Sequence, residues 1–338
     1  MDGRMDGSMK ALVMKSLATA ALTCAVTTVP AQSPREELIE IPGPQGPLQA
    51  ALRFPAGPLP PKAAVLIIPG SGPTDRDGNS PHVGNPAIYS LLAAGLAQRG
   101  IASARIDKRG MFGSAAAIPD ANAVRMRDYA DDALKWSEAL RERTGVDCVW
   151  ILGHSEGGVV ALLAGQERAA ICGLILVATP GRPMGEVLRE QLRANPANAP
   201  VLEQALGAID ALEAGRRVDV TALHPALHLL FHAGVQDFLI DSLTLDPSRL
   251  ASSVQGPMLI LQGSRDLQVS VEDAQRLHRS APQSTLAVLE GVNHVLKAVA
   301  TDDRDENIAT YVRADLPLAP GVVDVIAEFV VSAAPSAR

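Results

Sequence analysis

Short hydrophobic segments, rich in β-branched residues, recur along the chain and alternate with longer amphipathic segments. Six of them consist mainly of apolar residues, a pattern typical of strands that are covered on both faces of a parallel sheet. They are residues 64–68, 101–106, 148–152, 171–177, 258–261 and 285–289. Residues 38–41 and 48–54 alternate polar and apolar positions around a Pro/Gly turn, so they predict an antiparallel hairpin.

The amphipathic segments between these strands predict helices. Strands that alternate with helices form right-handed βαβ units, so the expected fold class is α/β with a mostly parallel central sheet flanked by helices. The predicted helices are residues 86–99, 127–143, 156–167, 271–279 and 322–331.

Residues 181–252 interrupt this alternation, because no strand-like segment occurs among them. We predict four consecutive helices there, over residues 185–193, 201–215, 224–233 and 237–243. Such an insertion is expected to form a helical cap over the carboxyl edge of the sheet, where open α/β sheets bind ligands. The predicted core then consists of residues 32–180 and 253–338.

The first 31 residues have the pattern of a secretory signal peptide. Lys10 and Lys15 precede the uncharged, mostly apolar segment 16–29, and small residues up to Ala31 offer a cleavage site. We therefore expect an exported protein, periplasmic or secreted, with no stable membrane insertion after cleavage. An N-terminal anchor that stays uncleaved is the alternative.

Composition narrows the class of function. The 338 residues are 47% hydrophobic and 20% charged, which suits a globular protein with a sizeable core. A net charge of −7 without a basic segment argues against a nucleic-acid partner, and 3% aromatic residues argue against stacking platforms for bases. The three cysteines lack metal-binding spacing, so no metal site is expected. An enzyme acting on a small molecule is the class that remains.

Two of the cysteines, Cys148 and Cys172, stand at the start of predicted neighbouring strands. In an oxidising compartment this placement allows a disulfide. Two small buried thiols are the interpretation that we prefer from the sequence.

A G-x-S-x-G motif, Gly153-His154-Ser155-Glu156-Gly157, lies between a predicted strand and a predicted helix. Glycine at both ends of this motif allows the tight strand-to-helix turn that exposes a serine hydroxyl at the sheet edge. The start of the following helix favours negative charge beside that hydroxyl. The motif predicts Ser155 as a nucleophile, with a structural glycine turn as the alternative.

A serine nucleophile needs a base to accept its proton, and the base needs an acid to orient it. His294 follows the last predicted strand, and Asp266 follows the strand before it. Because the carboxyl ends of parallel strands meet at one edge of a sheet, we predict a triad of Ser155, Asp266 and His294. Asp241 and Asp246 are alternatives for the acid.

The tetrahedral intermediate of acyl transfer needs backbone N–H donors for its negatively charged oxygen. Glu156 supplies one N–H directly after the nucleophile. Loop 69–73 follows the first parallel strand and offers the N–H of Ser71, with Gly70 and Gly72 allowing a close approach. We predict an oxyanion hole formed by the N–H groups of Ser71 and Glu156; an ordinary Gly/Pro turn is the alternative for the loop.

With these motifs the chain resembles α/β-hydrolase-fold serine hydrolases over about residues 35–334. Residues 69–79, Pro-Gly-Ser-Gly-Pro-Thr-Asp-Arg-Asp-Gly-Asn, are similar to a bacterial carboxylesterase subgroup often described as serine-aminopeptidase-like hydrolases. Residues 107–110 resemble the segment after the fourth strand in this superfamily. Met111 and Phe112 depart from it, because a single residue is usual before the next glycine.

The resemblance implies acyl transfer without a cofactor, in which water activated by His294 hydrolyses an acyl-enzyme at Ser155. We hypothesise a carboxylic ester hydrolase that acts on small-molecule esters with short or medium acyl chains, selected by the cap. One alternative is an aminopeptidase on the same fold, which would need acidic cap residues to bind an amine; a less favoured one is a non-catalytic binding protein. The acidic cap residues available are Glu186, Glu190, Asp237 and Asp241.

The sequence also offers candidates for the walls of the substrate pocket. The candidates are Gly70, Met111, Phe112, Phe231 and Phe238. Core packing explains the large side chains equally well. His224, His228 and His232 recur at every fourth position of predicted helix 224–233, so we expect them on one cap face beside the pocket rather than around a metal.

Overall fold

The computed structural model describes residues 34–167 and 171–333. Its strands are β1 (Glu36–Pro42), β2 (Pro47–Arg53), β3 (Ala63–Ile68), β4 (Ile101–Ile106), β5 (Val149–His154), β6 (Ile171–Val177), β7 (Met258–Gly263) and β8 (Thr285–Leu289). They form one sheet in the order β1-β2-β4-β3-β5-β6-β7-β8. β2 pairs antiparallel with β1 and with β4, and every other neighbouring pair is parallel. The predicted α/β class and hairpin are confirmed. The predicted signal peptide lies outside the described residues.

The helices predicted between the strands are present and flank this sheet, and further helices lie between β6 and β7 and after β8. They are α1 (Ile88–Gln98), α2 (Met126–Thr144), α3 (Glu156–Ala164), α4 (Met184–Ala194), α5 (Leu202–Glu213), α6 (Gln236–Leu243), α7 (Pro247–Ser253), α8 (Val271–Ser280), α9 (Arg304–Ala309) and α10 (Val322–Ser332). α1 starts two residues later than predicted, because Ala87 before it has a left-handed φ of 54°. In the part of the chain that the structure describes, no helix is long and apolar enough to cross a membrane.

The central strands pack helices on both faces. Within β3, Leu66 belongs to a hydrophobic cluster with Trp136 of α2, whereas the next residue, Ile67, belongs to a second cluster with Leu92 of α1 and Ile326 of α10. All five side chains are fully buried. Successive residues of a strand point to opposite faces, so a strand covered on both sides shows the continuous hydrophobicity of this sequence.

The cap contains α4, α5 and α6, which share a hydrophobic cluster of their own. The predicted helix over residues 224–233 is wrong, since the structure has two short 3-10 turns there, Pro225–Leu227 and Ala233–Val235. The Nδ1 atoms of His224 and His232 each accept the backbone N–H two residues later. Such side-chain-to-backbone bonds compete with helix formation. The predicted histidine face on a single helix is therefore not formed.

α7 follows the cap in sequence but packs against α3 and α8 of the core. Where the cap begins, Arg182 forms a bidentate ion pair with the buried Asp273 of α8. Asp273 also accepts the N–H of Gly181, and the Gly181 carbonyl accepts a hydrogen bond from Ser248 of α7. The first residues of the cap are thereby fastened to core helices on both sides.

Cys148 and Cys172 form a disulfide, so the preference for two free thiols is wrong. Cys148 directly precedes β5, Cys172 is the second residue of β6, and the two strands pair in parallel. This pairing brings the two Cα atoms to 5.2 Å, within the range that a disulfide spans. The sequence indicated neighbouring strands but not the register between them.

Replacing both cysteines by alanine is expected to lower the free energy of unfolding by about 3 kcal/mol, because the bridge no longer restricts the unfolded chain. The two positions are 24 residues apart, which sets the size of the closed loop. Urea denaturation checks this value, and wild-type protein treated with a reductant serves as the control and should match the variant. Equal stability of oxidised and reduced wild-type protein would contradict the expectation.

Candidate active site

Ser155 lies in the sharp turn between β5 and α3. Its backbone has φ 53° and ψ −121°, a strained conformation for a residue with a side chain, and its N–H donates to Val177 O. A Cβ on Gly153 would stand 2.0 Å from Gly157 O, and one on Gly157 would stand 2.4 Å from Ile68 O. Glycine is therefore required at both ends of the motif, and the turn has the geometry of a nucleophile elbow.

Asp266 and His294 are hydrogen-bonded to each other at the same edge of the sheet. His294 Nδ1 lies 2.8 Å from Asp266 Oδ2, and both side chains are buried. Oδ1 of Asp266 accepts the N–H groups of Gln268 and Val269, and Oδ2 also accepts from Gln262 Nε2. With Asp266 as a carboxylate, the proton on His294 is placed on Nδ1, which leaves Nε2 as an acceptor.

Ser155 and His294 line the same small pocket, together with Gly70 and Ser71. Among the hydrogen bonds of the described residues there is none between Ser155 Oγ and His294 Nε2. Serine–histidine contacts are often longer without substrate and shorten when substrate binds. The arrangement thus joins Asp266 to His294 by a hydrogen bond and places Ser155 in the same pocket as His294.

The two alternative acids have other partners. Asp241 Oδ2 accepts the N–H of Met126 at the start of α2. Asp246 caps α7 by accepting the N–H groups of Ser248 and Arg249. Neither is hydrogen-bonded to His294 within the described part of the chain, so the geometry favours Asp266 as the acid.

The loop that follows β3 approaches Ser155 closely. A Cβ on Gly70 would stand 3.4 Å from Ser155 Cβ, which is van der Waals contact. Ser71, the next residue, lines the pocket of Ser155 and also a larger cavity beside it, where Glu156 is another lining residue. Of the two candidate oxyanion donors, Ser71 therefore borders both spaces and Glu156 borders the larger one.

His154 connects three parts of the site through the hydrogen bonds of its ring. Its Nε2 lies 2.9 Å from His294 O, and its Nδ1 lies 3.0 Å from the hydroxyl of Tyr89. The Tyr89 hydroxyl accepts the N–H of Gly70. The directions of these bonds are consistent with a neutral His154 whose proton is on Nε2. Burial, together with the adjacent His294, lowers the pKa of His154 to about 3.

Acid is expected to destabilise the protein partly through His154. Its pKa falls from an ordinary 6.5 to about 3 on folding, so between these values only the unfolded chain takes up the proton. The associated stability is complete above the upper value and is lost as the pH falls through this window, by about 1.4 kcal/mol per pH unit. His154→Gln, which keeps a donor for His294 O, should show a shallower decline in urea denaturation across this window.

The exposed His82 provides the control, since His82→Gln should keep the wild-type dependence on pH. Parallel curves for wild-type protein and His154→Gln would contradict the role given to the buried ring.

The site opens into two spaces of different size. The pocket that contains Ser155 and His294 has a volume of about 90 Å³. The neighbouring cavity has a volume of about 610 Å³ and lies between the core and the cap. Its core side includes Ser71, Lys108 and Glu156, and its cap side is mostly apolar. The apolar cap residues that line it are Ala226, Leu229, Leu230, Val235, Phe238 and Leu239.

Three of the five predicted pocket residues line one of these spaces, and two line neither. Gly70 lines the small pocket, and Met111 and Phe238 line the larger cavity. Phe231 is fully buried in the hydrophobic cluster of the cap and lines neither space, so its placement in the pocket is corrected. Phe112 also lines neither of them; it has a φ of 44° and a side chain that is 44% exposed. Aromatic character alone does not distinguish a cap-core residue from a pocket wall.

The strand order, the elbow and the cap define the chain as an α/β hydrolase. Residues 78–297 match the protein family described as serine aminopeptidase, S33, and the chain belongs to this family.

Similar proteins include esterases and a lipase. Esterase EstD of Thermotoga maritima is 30% identical over 224 residues, which cover 65% of this chain and 50% of that protein. Monoglyceride lipase of Rattus norvegicus is 32% identical over 156 residues, which cover 44% of this chain and 52% of the lipase. The chain spans about half the length of these curated relatives.

The solved structure of Est1E from Butyrivibrio proteoclasticus superposes with a TM-score of 0.54 at 15% identity. This match covers 88% of the present chain and 98% of Est1E. At this identity it shows a shared fold.

Proposed function

We propose that this protein is a serine hydrolase that cleaves carboxylic esters of small molecules through Ser155, His294 and Asp266. The observation that carries the proposal is the 2.8 Å bond between His294 Nδ1 and Asp266 Oδ2, with His294 lining the same pocket as the strained Ser155. The similarity to an esterase and to a monoglyceride lipase supports the same chemistry.

The reaction follows from the roles of these atoms. His294 Nε2 accepts the hydroxyl proton as Ser155 Oγ attacks the ester carbonyl, and Asp266 stabilises the imidazolium that results. The carbonyl oxygen becomes an oxyanion that the N–H groups of Ser71 and Glu156 stabilise. The intermediate collapses to an acyl-enzyme as the alcohol leaves with the proton from His294. His294 then activates a water molecule, which releases the carboxylic acid and restores Ser155.

The charge of the two spaces favours a neutral ester over a peptide amine. Glu156 is the one carboxylate among the described residues that line them, and Lys108 is paired with it at 3.2 Å. The four acidic cap residues considered for amine binding line neither space. Glu190 and Asp237 form ion pairs with Arg182 and Arg217. A substrate ammonium would therefore find no free carboxylate on these walls.

The size and lining of the larger cavity support an acyl chain of short or medium length as its occupant. Ligand sites of this kind are mostly apolar, with a few polar groups at the reacting end. Ser71 and Glu156 supply the polar end here, and the apolar cap residues supply the walls. The small pocket then holds the alcohol group.

Labelling and turnover test the proposal together. A fluorophosphonate should modify Ser155 in the folded protein, and mass spectrometry of the digest identifies the labelled peptide. p-Nitrophenyl acyl esters should be hydrolysed far faster than amino-acid p-nitroanilides. A folded protein that neither reacts with the label nor cleaves any ester would refute the proposed function, and faster anilide cleavage would favour the aminopeptidase.

Filling the cavity should change the preference for chain length. Val235→Trp places a large ring in the cavity, so kcat/KM is expected to fall by about 10-fold or more for p-nitrophenyl octanoate, while the acetate loses little. The ratio of kcat/KM for the two esters measures the effect. Ala222→Trp, at an exposed cap position that lines neither space, is the control and should keep the wild-type ratio. An unchanged ratio in Val235→Trp would contradict the proposal that the acyl chain binds in this cavity.

We also propose that the protein is exported. The signal-peptide pattern of residues 1–31 supports export, and so does the disulfide between Cys148 and Cys172, since stable disulfides are typical of oxidising compartments. Cell fractionation combined with the N-terminal sequence of the purified protein tests this, and we expect Gln32 as the first residue. Recovery of the uncut chain from the cytosol would contradict it.

A further inference from the structure

Both polar backbone atoms of Gly70 are held by buried side chains. The N–H of Gly70 donates to the Tyr89 hydroxyl at 2.9 Å, and its carbonyl accepts from Lys108 Nζ at 2.7 Å. Tyr89 comes from α1 and Lys108 from the segment after β4, and both are almost completely buried. The loop that carries the candidate oxyanion donor is thus fixed from two separate elements of the core.

The contact with Lys108 sets the direction of the next N–H group. Gly70 C=O and Ser71 N–H belong to one peptide unit, which is planar and trans, because the described backbone contains no cis bond. In such a unit the carbonyl and the N–H point in opposite directions. An ammonium that holds Gly70 O on one side therefore directs Ser71 N–H to the other side.

The same ammonium reaches the residue that provides the second donor. Lys108 Nζ lies 3.2 Å from Glu156 Oε1, and both side chains are buried. Glu156 is the first residue of α3 and follows Ser155 directly. Lys108 thus links the peptide unit that carries Ser71 N–H to the side chain of Glu156, whose own N–H is the second donor in the proposed reaction. A lysine suits this position because its ammonium carries three donors on a flexible stem.

We propose that Lys108 is a positioning residue of the oxyanion hole: its ammonium, bound to Gly70 O and Glu156 Oε1, fixes the N–H groups of Ser71 and Glu156. This inference rests on the proposed function, because an oxyanion forms only if acyl transfer occurs at Ser155. Lys108 acts through the two backbone groups and does not itself contact the reacting atoms.

Lys108→Met tests this role, because methionine keeps the apolar stem and removes the ammonium. We expect kcat per active site to fall by about 10- to 100-fold, less than the loss of a whole donor, while KM changes little. Active sites are counted by fluorophosphonate labelling, so misfolded protein does not enter the rate. Lys108→Met leaves Glu156 buried without its partner, so the double variant Lys108→Met/Glu156→Leu, which removes both charges, is measured beside it.

Lys297 provides a matched control. It is fully buried, its ammonium also binds a backbone carbonyl, that of Leu316, and it lines neither space of the site. Lys297→Met should keep the wild-type kcat per labelled site. It therefore reports what the loss of a buried lysine does in general.

Two inhibitors separate positioning from a purely structural role. A trifluoromethyl ketone analogue of the ester forms an oxyanion with the serine, whereas the corresponding ether binds without forming one. For Lys108→Met the inhibition constant of the ketone should rise by the factor by which kcat/KM falls, and that of the ether should stay unchanged.

Three results would overturn this role. If the wild type is active and kcat and ketone affinity are unchanged in Lys108→Met and in the double variant, the positioning role of Lys108 is refuted and the proposed function is not. Equal weakening of ketone and ether would make the residue structural. A wild-type protein that cleaves no ester would refute the proposed function, and the oxyanion hole with it.

Discussion

Ser155→Ala is expected to lower kcat/KM for p-nitrophenyl esters by about 10⁴- to 10⁶-fold, because no nucleophile then remains to form the acyl-enzyme. His294 keeps its bond to Asp266 in this variant, and the oxyanion donors stay in place. The rate that remains therefore measures what binding and electrostatics contribute without covalent catalysis. The measurement is the initial rate of ester hydrolysis by the purified variant. Fluorophosphonate labelling of the same sample shows whether Ser155 was the residue that reacted in the wild type.

Ser90→Ala is a suitable control for labelling. The Ser90 hydroxyl donates to Ala87 O and lines neither space of the site, so its loss should leave the label on Ser155. A label that persists in Ser155→Ala but disappears in another serine variant would show that the other serine is the nucleophile.

Asp266→Asn is expected to lower kcat by about 10³- to 10⁴-fold through the wrong tautomer of His294. Oδ1 of the wild-type carboxylate accepts the N–H groups of Gln268 and Val269, so the asparagine oxygen should remain there. Its NH₂ group then faces His294 Nδ1. The ring must accept at Nδ1 and carry its proton on Nε2, where it no longer accepts the proton of Ser155.

The two alternative acids provide the controls for this substitution. Asp246→Asn should keep the wild-type rate, since asparagine caps a helix as well as aspartate does. Asp241→Asn changes only the acceptor of Met126 N–H, which lies outside the pocket, so it should also have little effect on kcat. A large loss of kcat in either of these variants, with an active Asp266→Asn, would assign the acid to a different residue.

The sheet could be predicted largely from the sequence, because its signals are local. Buried parallel strands have continuous apolar segments, and the observed β4, β6 and β8 have the predicted bounds. The signal for the elbow is also local, because Gly153 and Gly157 both lie within two residues of Ser155, although the clash that requires glycine at 157 is with Ile68 O of β3. The order of the strands then brings Asp266 and His294 to one edge, since each follows the end of a parallel strand.

What the sequence did not indicate depends on contacts between distant segments. The disulfide depends on the register of β5 against β6, which no local pattern encodes. The apolar side chain of Phe231 suits a pocket wall as well as the cap core where it lies. Lys108 and His154 owe their roles to partners from other elements, and neither belongs to a periodic pattern.

β5 is flanked by the disulfide at one end and by Ser155 at the other. A reducing agent acts at the end of this strand that is remote from the reacting groups. Reduced enzyme should thus turn over substrate at its usual speed in the cold and yet inactivate sooner on warming. We therefore expect the redox state of the surroundings to change how long the protein stays active and to leave its rate of turnover unchanged.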